Sequence, residues 1–175
     1  MTRKLFAILV GGHHPRANIE LHDMRFCIGE TLEATYRQLR DTWWGTPASL
    51  HIDGYVELSA LDGHRIDISD EPAPAANAPK LFFVNVGYYD QAEFGEHHAY
   101  RFMIGRDKAE VWKRALRSVP NGESRHKDNF LDIDDIIEVT SDLFSHGKAH
   151  LKLVPDASAP VDPPVMISDY IRLPG

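Results

Sequence analysis

Lys4-Leu5-Phe6-Ala7-Ile8-Leu9-Val10-Gly11 is matched by Lys80-Leu81-Phe82-Phe83-Val84-Asn85-Val86-Gly87. Glu20-Leu21-His22-Asp23-Met24-Arg25-Phe26-Cys27-Ile28-Gly29 is matched by Glu96-His97-His98-Ala99-Tyr100-Arg101-Phe102-Met103-Ile104-Gly105 at the same offset (80 − 4 = 76 and 96 − 20 = 76). Lys4, Leu5, Phe6, Val10, Gly11, Glu20, His22, Arg25, Phe26, Ile28 and Gly29 recur unchanged, and no gap is needed. Self-similarity at a fixed offset marks an internal duplication, which decides the architecture before any single element is read. The apolar run Leu5–Val10 is short, rich in strand formers and stopped by Gly11-Gly12, so it reads as a strand covered on both faces. Met24–Ile28 reads as a second strand, with Arg25 and Cys27 on the side opposite Met24, Phe26 and Ile28.

Working outward, Thr31 is placed to cap a helix whose apolar stripe is Leu32, Tyr36, Leu39 and Trp43 and which ends near Trp44. Leu50–Leu58 alternates as a half-buried strand does. Asp62-Gly63 is a hairpin turn signal, followed by a return strand over His64–Ser69. One copy, residues 1–69, is therefore a β-β-α-β-β unit. Residues 70–79 are a Pro/Ala linker, stiffened by repeated proline. In the second copy, residues 80–154, Asp107 and Glu110 form a capping box ahead of the stripe Val111, Trp112, Ala115 and Val119. Leu131–Val139 then realigns with Leu50–Leu58 (131 − 50 = 81), Ser145-His146-Gly147 makes a turn and His150–Val154 the return strand. Residues 155–175 are a Pro-rich segment and an extended tail. The fold class expected is α+β, with two pseudo-twofold copies forming one body and each helix packed on an antiparallel sheet.

The chain has 175 residues, 43% of them hydrophobic, enough for a sizeable core. Its net charge of −7 and the lack of any basic run argue against nucleic-acid binding. Cys27 is the single cysteine, which excludes an internal disulfide and a cysteine-cluster metal site, and its apolar setting reads as a buried thiol. No apolar run is long enough to span a bilayer and the N-terminus lacks a signal-peptide pattern, so the expected location is the cytoplasm.

Asn18-Ile19-Glu20-Leu21-His22-Asp23-Met24-Arg25-Phe26, Trp44-Gly45-Thr46-Pro47 and His51-Ile52-Asp53-Gly54-Tyr55 together resemble a bacterial family known as domain of unknown function 1543, whose domain occurs in one or two copies per chain. The second copy departs from the pattern at Ala99, at Asp132 and throughout the Trp44–Pro47 segment. The resemblance implies two tandem copies and brings no activity with it.

Polar identities between the copies select the candidate ligand-binding residues: Glu20, His22, Arg25, Asp53 and Glu57, with Glu96, His98, Arg101, Asp134 and Glu138. Glu20 and His22 share a face of an extended segment, and Asp53 and Glu57 share one with His51 and Tyr55. Gathered together, such groups would suit a metal or acid–base site. Their spacings match no known ligand motif, so the reading adopted is structural, with Arg25 paired to Glu20 and Arg101 to Glu96, and with no metal or cofactor assigned. The leading function is then a non-enzymatic binding or interaction module. A small metal-dependent hydrolase or lyase is the alternative. A small anionic ligand, a protein partner or a second copy of the chain are the partners that fit.

Overall fold

The central strand of the chain is the first apolar run, which satisfies both of its backbone edges by pairing on each side. A computed structural model describes residues 2–71, 75, 77–89, 92–118, 131–139, 149–161 and 164–174. In chain order the elements are β1 (Lys4–Gly12), β2 (Leu21–Gly29), α1 (Tyr36–Thr42), β3 (His51–Glu57), β4 (Ala60–Leu61), β5 (His64–Ser69), β6 (Lys80–Tyr89), β7 (Glu96–Gly105), α2 (Lys108–Ser118), β8 (Leu131–Glu138), β9 (His150–Pro155) and β10 (Ile167–Arg172). They form three antiparallel sheets, ordered β10-β3-β1-β2, β4-β5-β9 and β7-β6-β8. The chain is thus a mixed α and β protein with two short helices among the described residues. No described helix is long and apolar enough to cross a membrane. Two compact units are present, Met1–Pro74 with Thr140–Gly175, and Ala75–Val139.

In the first unit one face of the β1 sheet presents Phe6, Ile8, Val10, Cys27 and Ile52 to Leu32, Leu39 and Trp43 of the helical segment. A short 3-10 turn, Glu33–Thr35, precedes α1, and the Ala34 N–H reaches the Thr31 hydroxyl at 3.4 Å. Gln38 fastens α1 to the free edge of β2: it accepts from the Ile28 N–H at 3.2 Å and donates to the Ile28 carbonyl at 2.7 Å. The exposed edge of β2 is thereby occupied at Ile28. Trp43 is buried while Trp44 is about half exposed, stacked on Trp43 at 4.9 Å and donating to Asp23 at 3.3 Å.

The second unit also packs a helix on one face of a sheet. Phe82, Val84, Val86 and Met103 pack against Val111 and Ala115 of α2. Asp107 accepts from the Glu110 N–H at 2.8 Å, and the Glu110 carboxylate reaches back to the Arg106 N–H at 3.2 Å, one residue beyond the reach of an ordinary capping box. Arg114 donates to the Ile104 carbonyl, so the residue equivalent to Gln38 (114 − 76 = 38) anchors the equivalent edge. Val119 and the Ser145–Gly147 turn lie outside the described residues.

One expectation is corrected. The return strands do not extend the sheets of their own copies. β5 pairs instead with β9, from Ser69↔His150 to His64↔Pro155, in a separate small sheet of the first unit. The chain leaves the first sheet between β3 and β4, and the turn at Asp62 and Gly63, both of positive φ, then pairs β5 with β4. The C-terminal tail contributes β10, which pairs with the outer edge of β3. A fragment of residues 1–75 lacks β9 and β10, so it is expected to show no cooperative monomeric melt by circular dichroism.

Cys27 is 1% exposed, and burial pushes its thiol from 9.0 up to about 12, against a smaller opposing pull from the Arg25 charge. An acid held neutral by the fold ionises first in the unfolded chain, so this contribution is fully present below pH 9.0 and stability falls as pH rises from there toward 12. The expected result with a thiol reagent at pH 8 is no labelling of the native chain and full labelling in denaturant.

Candidate functional site

On the face of the β1 sheet opposite α1, a row of residues crosses three strands: His22 on β2, Gly11 on β1 and His51 on β3, each paired with its neighbour. Between Leu9 and Val10 the β1–β3 register slips by one residue, because Leu9 pairs Gly54 while Val10 pairs Ile52. Asp53 is the extra residue of this β-bulge. Bulges re-aim side chains, and this one turns Asp53 onto the face that carries His22 and His51. Glu20 arrives from the segment just before β2.

Four polar groups therefore meet above Gly11. His22 Nε2 stands 3.2 Å from Asp53 Oδ2 and 4.0 Å from Glu20 Oε2. His51 Nε2 stands 3.3 Å from Asp53 Oδ1 and 3.4 Å from Glu20 Oε1. A Cβ on residue 11 would lie 2.5 Å from Asp53 Oδ2 and 2.6 Å from His51 Nε2, so the convergence requires glycine there. His51 is only 4% exposed. Its Nδ1 lies 2.8 Å from the Ser49 carbonyl, an acceptor only, so Nδ1 carries the proton. In the neutral ring Nε2 then points a lone pair at two carboxylates. Neither His51 Nε2 nor Asp53 Oδ2 has a hydrogen-bond partner, although both atoms are buried. Tyr170 of β10 covers the ring of His51 at 4.6 Å between centroids.

The second unit builds a related group. Gly87 pairs His98, and a second bulge, between Asn85 and Val86, makes Asp134 the extra residue of β8. Glu96, His98 and Asp134 offer ligand atoms within 4.8 Å of one another, all three residues being exposed.

Of the residues expected from sequence, Glu20, His22 and Asp53 are brought together, as are Glu96, His98 and Asp134. Glu57 and Glu138 are not. The bulge reverses the alternation of β3 beyond Asp53, so Tyr55 and Glu57 turn to the helix face, where Glu57 pairs with Lys4 at 2.8 Å. Glu138 pairs with Lys80 at 3.0 Å in the same way. The expected pairing of Arg25 with Glu20 is also corrected. Arg25 lies on the helix face beside Asp23, two residues away on one side of the strand, and Nη2 meets Asp23 Oδ2 at 2.8 Å. Arg101 donates to the Tyr100 carbonyl at 2.8 Å rather than standing as the expected first-choice partner of Glu96, which joins His98 and Asp134 instead. His51 was missing from the sequence-derived set because the second copy has Asp132 at that position. The signal that marks it is its place two residues before Asp53 on an alternating strand.

Replacing Gly11 by alanine tests the crowding. In a strand, alanine ordinarily gains about 0.5–1 kcal/mol over glycine. Here urea denaturation is expected to show a loss of about 1–3 kcal/mol, the cost of forcing a methyl group into a filled space.

Comparison with known proteins places these observations. Residues 17–68 match the family described as Domain of Unknown Function (DUF1543). The crystal structure of the protein Il1583 from Idiomarina loihiensis is similar over 99% of this chain and 99% of that chain, at 33% sequence identity and a TM-score of 0.70. No curated protein matches the chain. With that identity held over both full lengths, the chain belongs to the same family as Il1583.

Proposed function

We propose that this protein is a metal-ion binding module, and that Glu20, His22, His51 and Asp53 hold a divalent ion of the zinc class. The observation that carries the reading is His51. A buried imidazole has its Nδ1 proton committed to a backbone carbonyl and its Nε2 directed without a hydrogen bond between two carboxylates. A backbone acceptor on one ring nitrogen is the usual way to orient a histidine whose other nitrogen binds metal. The two oxygens of Asp53 face the two rings separately, Oδ2 at 3.2 Å from His22 Nε2 and Oδ1 at 3.3 Å from His51 Nε2, so the carboxylate lies between the imidazoles. A cation at that centre would remove the repulsion between the lone pair and the carboxylates and would satisfy both orphaned atoms. Two imidazoles with two carboxylates favour zinc and its neighbours over calcium or magnesium.

The reading extends to the origin of the chain. The two larger sheets derive from one duplicated unit. In support, the pairings Lys4↔Gly29 and Lys80↔Gly105 share the 76-residue offset, and each sheet carries a bulge that delivers an aspartate beside a glycine.

The full chain, stripped with a chelator and titrated with Zn2+ in a calorimeter, tests the proposal. One tight ion is expected in the wild type, weakened by at least about tenfold in His51→Ala, as losses around a metal's ligands typically are. Wild type and His51→Ala binding zinc alike would overturn it.

A further inference from the structure

We infer that the second unit carries a cation site of its own, Glu96–His98–Asp134, and that its preference is for an oxygen-seeking divalent ion of the manganese class. Three independent features shape it. First, Gly87 lies beneath the group, where a Cβ would stand 2.7 Å from Glu96 Oε1 and 2.8 Å from both Asp134 oxygens. The carboxylates close over a space that only a hydrogen side chain leaves free. Second, the bulge in β8 removes Asp134 from regular alternation and turns it toward His98, whose Nδ1 is 3.1 Å from Asp134 Oδ2. Third, Asn85 stands on β6 two residues before Gly87 and donates from Nδ2 to Asp134 Oδ2 at 3.3 Å, while its own Oδ1 is buried without a partner. The donated hydrogen bond orients the carboxylate, as groups behind metal ligands do. Turning the amide over would present Oδ1 to the centre, an arrangement favourable only with a cation between the two oxygens.

The chemistry differs from that of the first unit. At the position of His51 this sheet has Asp132. One imidazole and two carboxylates make a donor set dominated by oxygen, and all three residues are exposed. Ligands about 2.1 Å from an octahedral ion stand about 3 Å apart when adjacent and about 4.2 Å apart when opposite. The 3.1 Å contact between His98 and Asp134 suits an adjacent pair in such a shell. The site is therefore weaker than the first, open to water and less selective for zinc.

Mn2+ titration of the chelator-treated full chain tests this, with free ion read by electron paramagnetic resonance. The expected result is a class of bound Mn2+ that persists in His51→Ala, disappears in Asp134→Asn and weakens by about tenfold in Gly87→Ala, which fills the cradle without removing a ligand. In the unsubstituted chain, substoichiometric Mn2+ should broaden the His98 ring resonances. Equal Mn2+ binding by wild type and Asp134→Asn, or sharp His98 resonances at millimolar Mn2+, would overturn the inference. Failure of the first site is read separately, as zinc binding that His51→Ala leaves unchanged.

Discussion

A single extra residue in β3 governs how this protein distributes its polar and apolar groups. Without the bulge at Asp53, strand alternation would carry His51, Asp53, Tyr55 and Glu57 on one face. With it, the strand serves two faces in turn. Its first half contributes His51 and Asp53 to the side facing away from α1. Its second half contributes Tyr55 to the apolar layer beneath α1 and Glu57 to an ion pair with Lys4. The repeated bulge in β8 does the same for Asp134 and Glu138. Each sheet thus keeps a dry, helix-covered face and gathers charge at one end of the other; in the first sheet the buried His51 makes close pairing or a counter-ion necessary there.

Much of this was legible in the sequence because the signals are local. Hydrophobic runs located β1, β2, β6 and β7; a helical stripe located α1; Asp62-Gly63 located the tight turn. Comparing the two similar stretches picked out Glu20, His22 and Asp53, together with Arg25 and Glu57, which lie on the other face. What stayed hidden is non-local. A bulge leaves no mark in the alternation of Leu50–Leu58, where Gly54 and Tyr55 read equally well in either phase. The choice of β9 as partner for β5 is decided by which edges remain open, and that depends on the whole assembly of strands. His51 escaped because comparing the copies rewards sameness, whereas the two groups differ at that position.

Edge management shows the same economy. The outer edge of β2 is occupied at Ile28 by the Gln38 amide and that of β7 at Ile104 by Arg114, each donating to a carbonyl near the strand's end. The outer edge of β3 is closed by β10, with Arg172 opposite His51 and Ile171 opposite Ile52. Arg25 shows the cost of such close fitting: its Nη2 is paired to Asp23 while its buried Nε finds no partner.

The first unit is assembled from both ends of the chain, with the second unit inserted between them. On a ribosome, where domains form in the order their residues emerge, the inserted unit is complete while the earlier one still waits for β9 and β10. Tyr170, which covers His51, belongs to that later stretch. Closure of the first sheet therefore waits until the inserted unit and β10 have both been made, and over that interval a nascent chain exposes the open edge of β3.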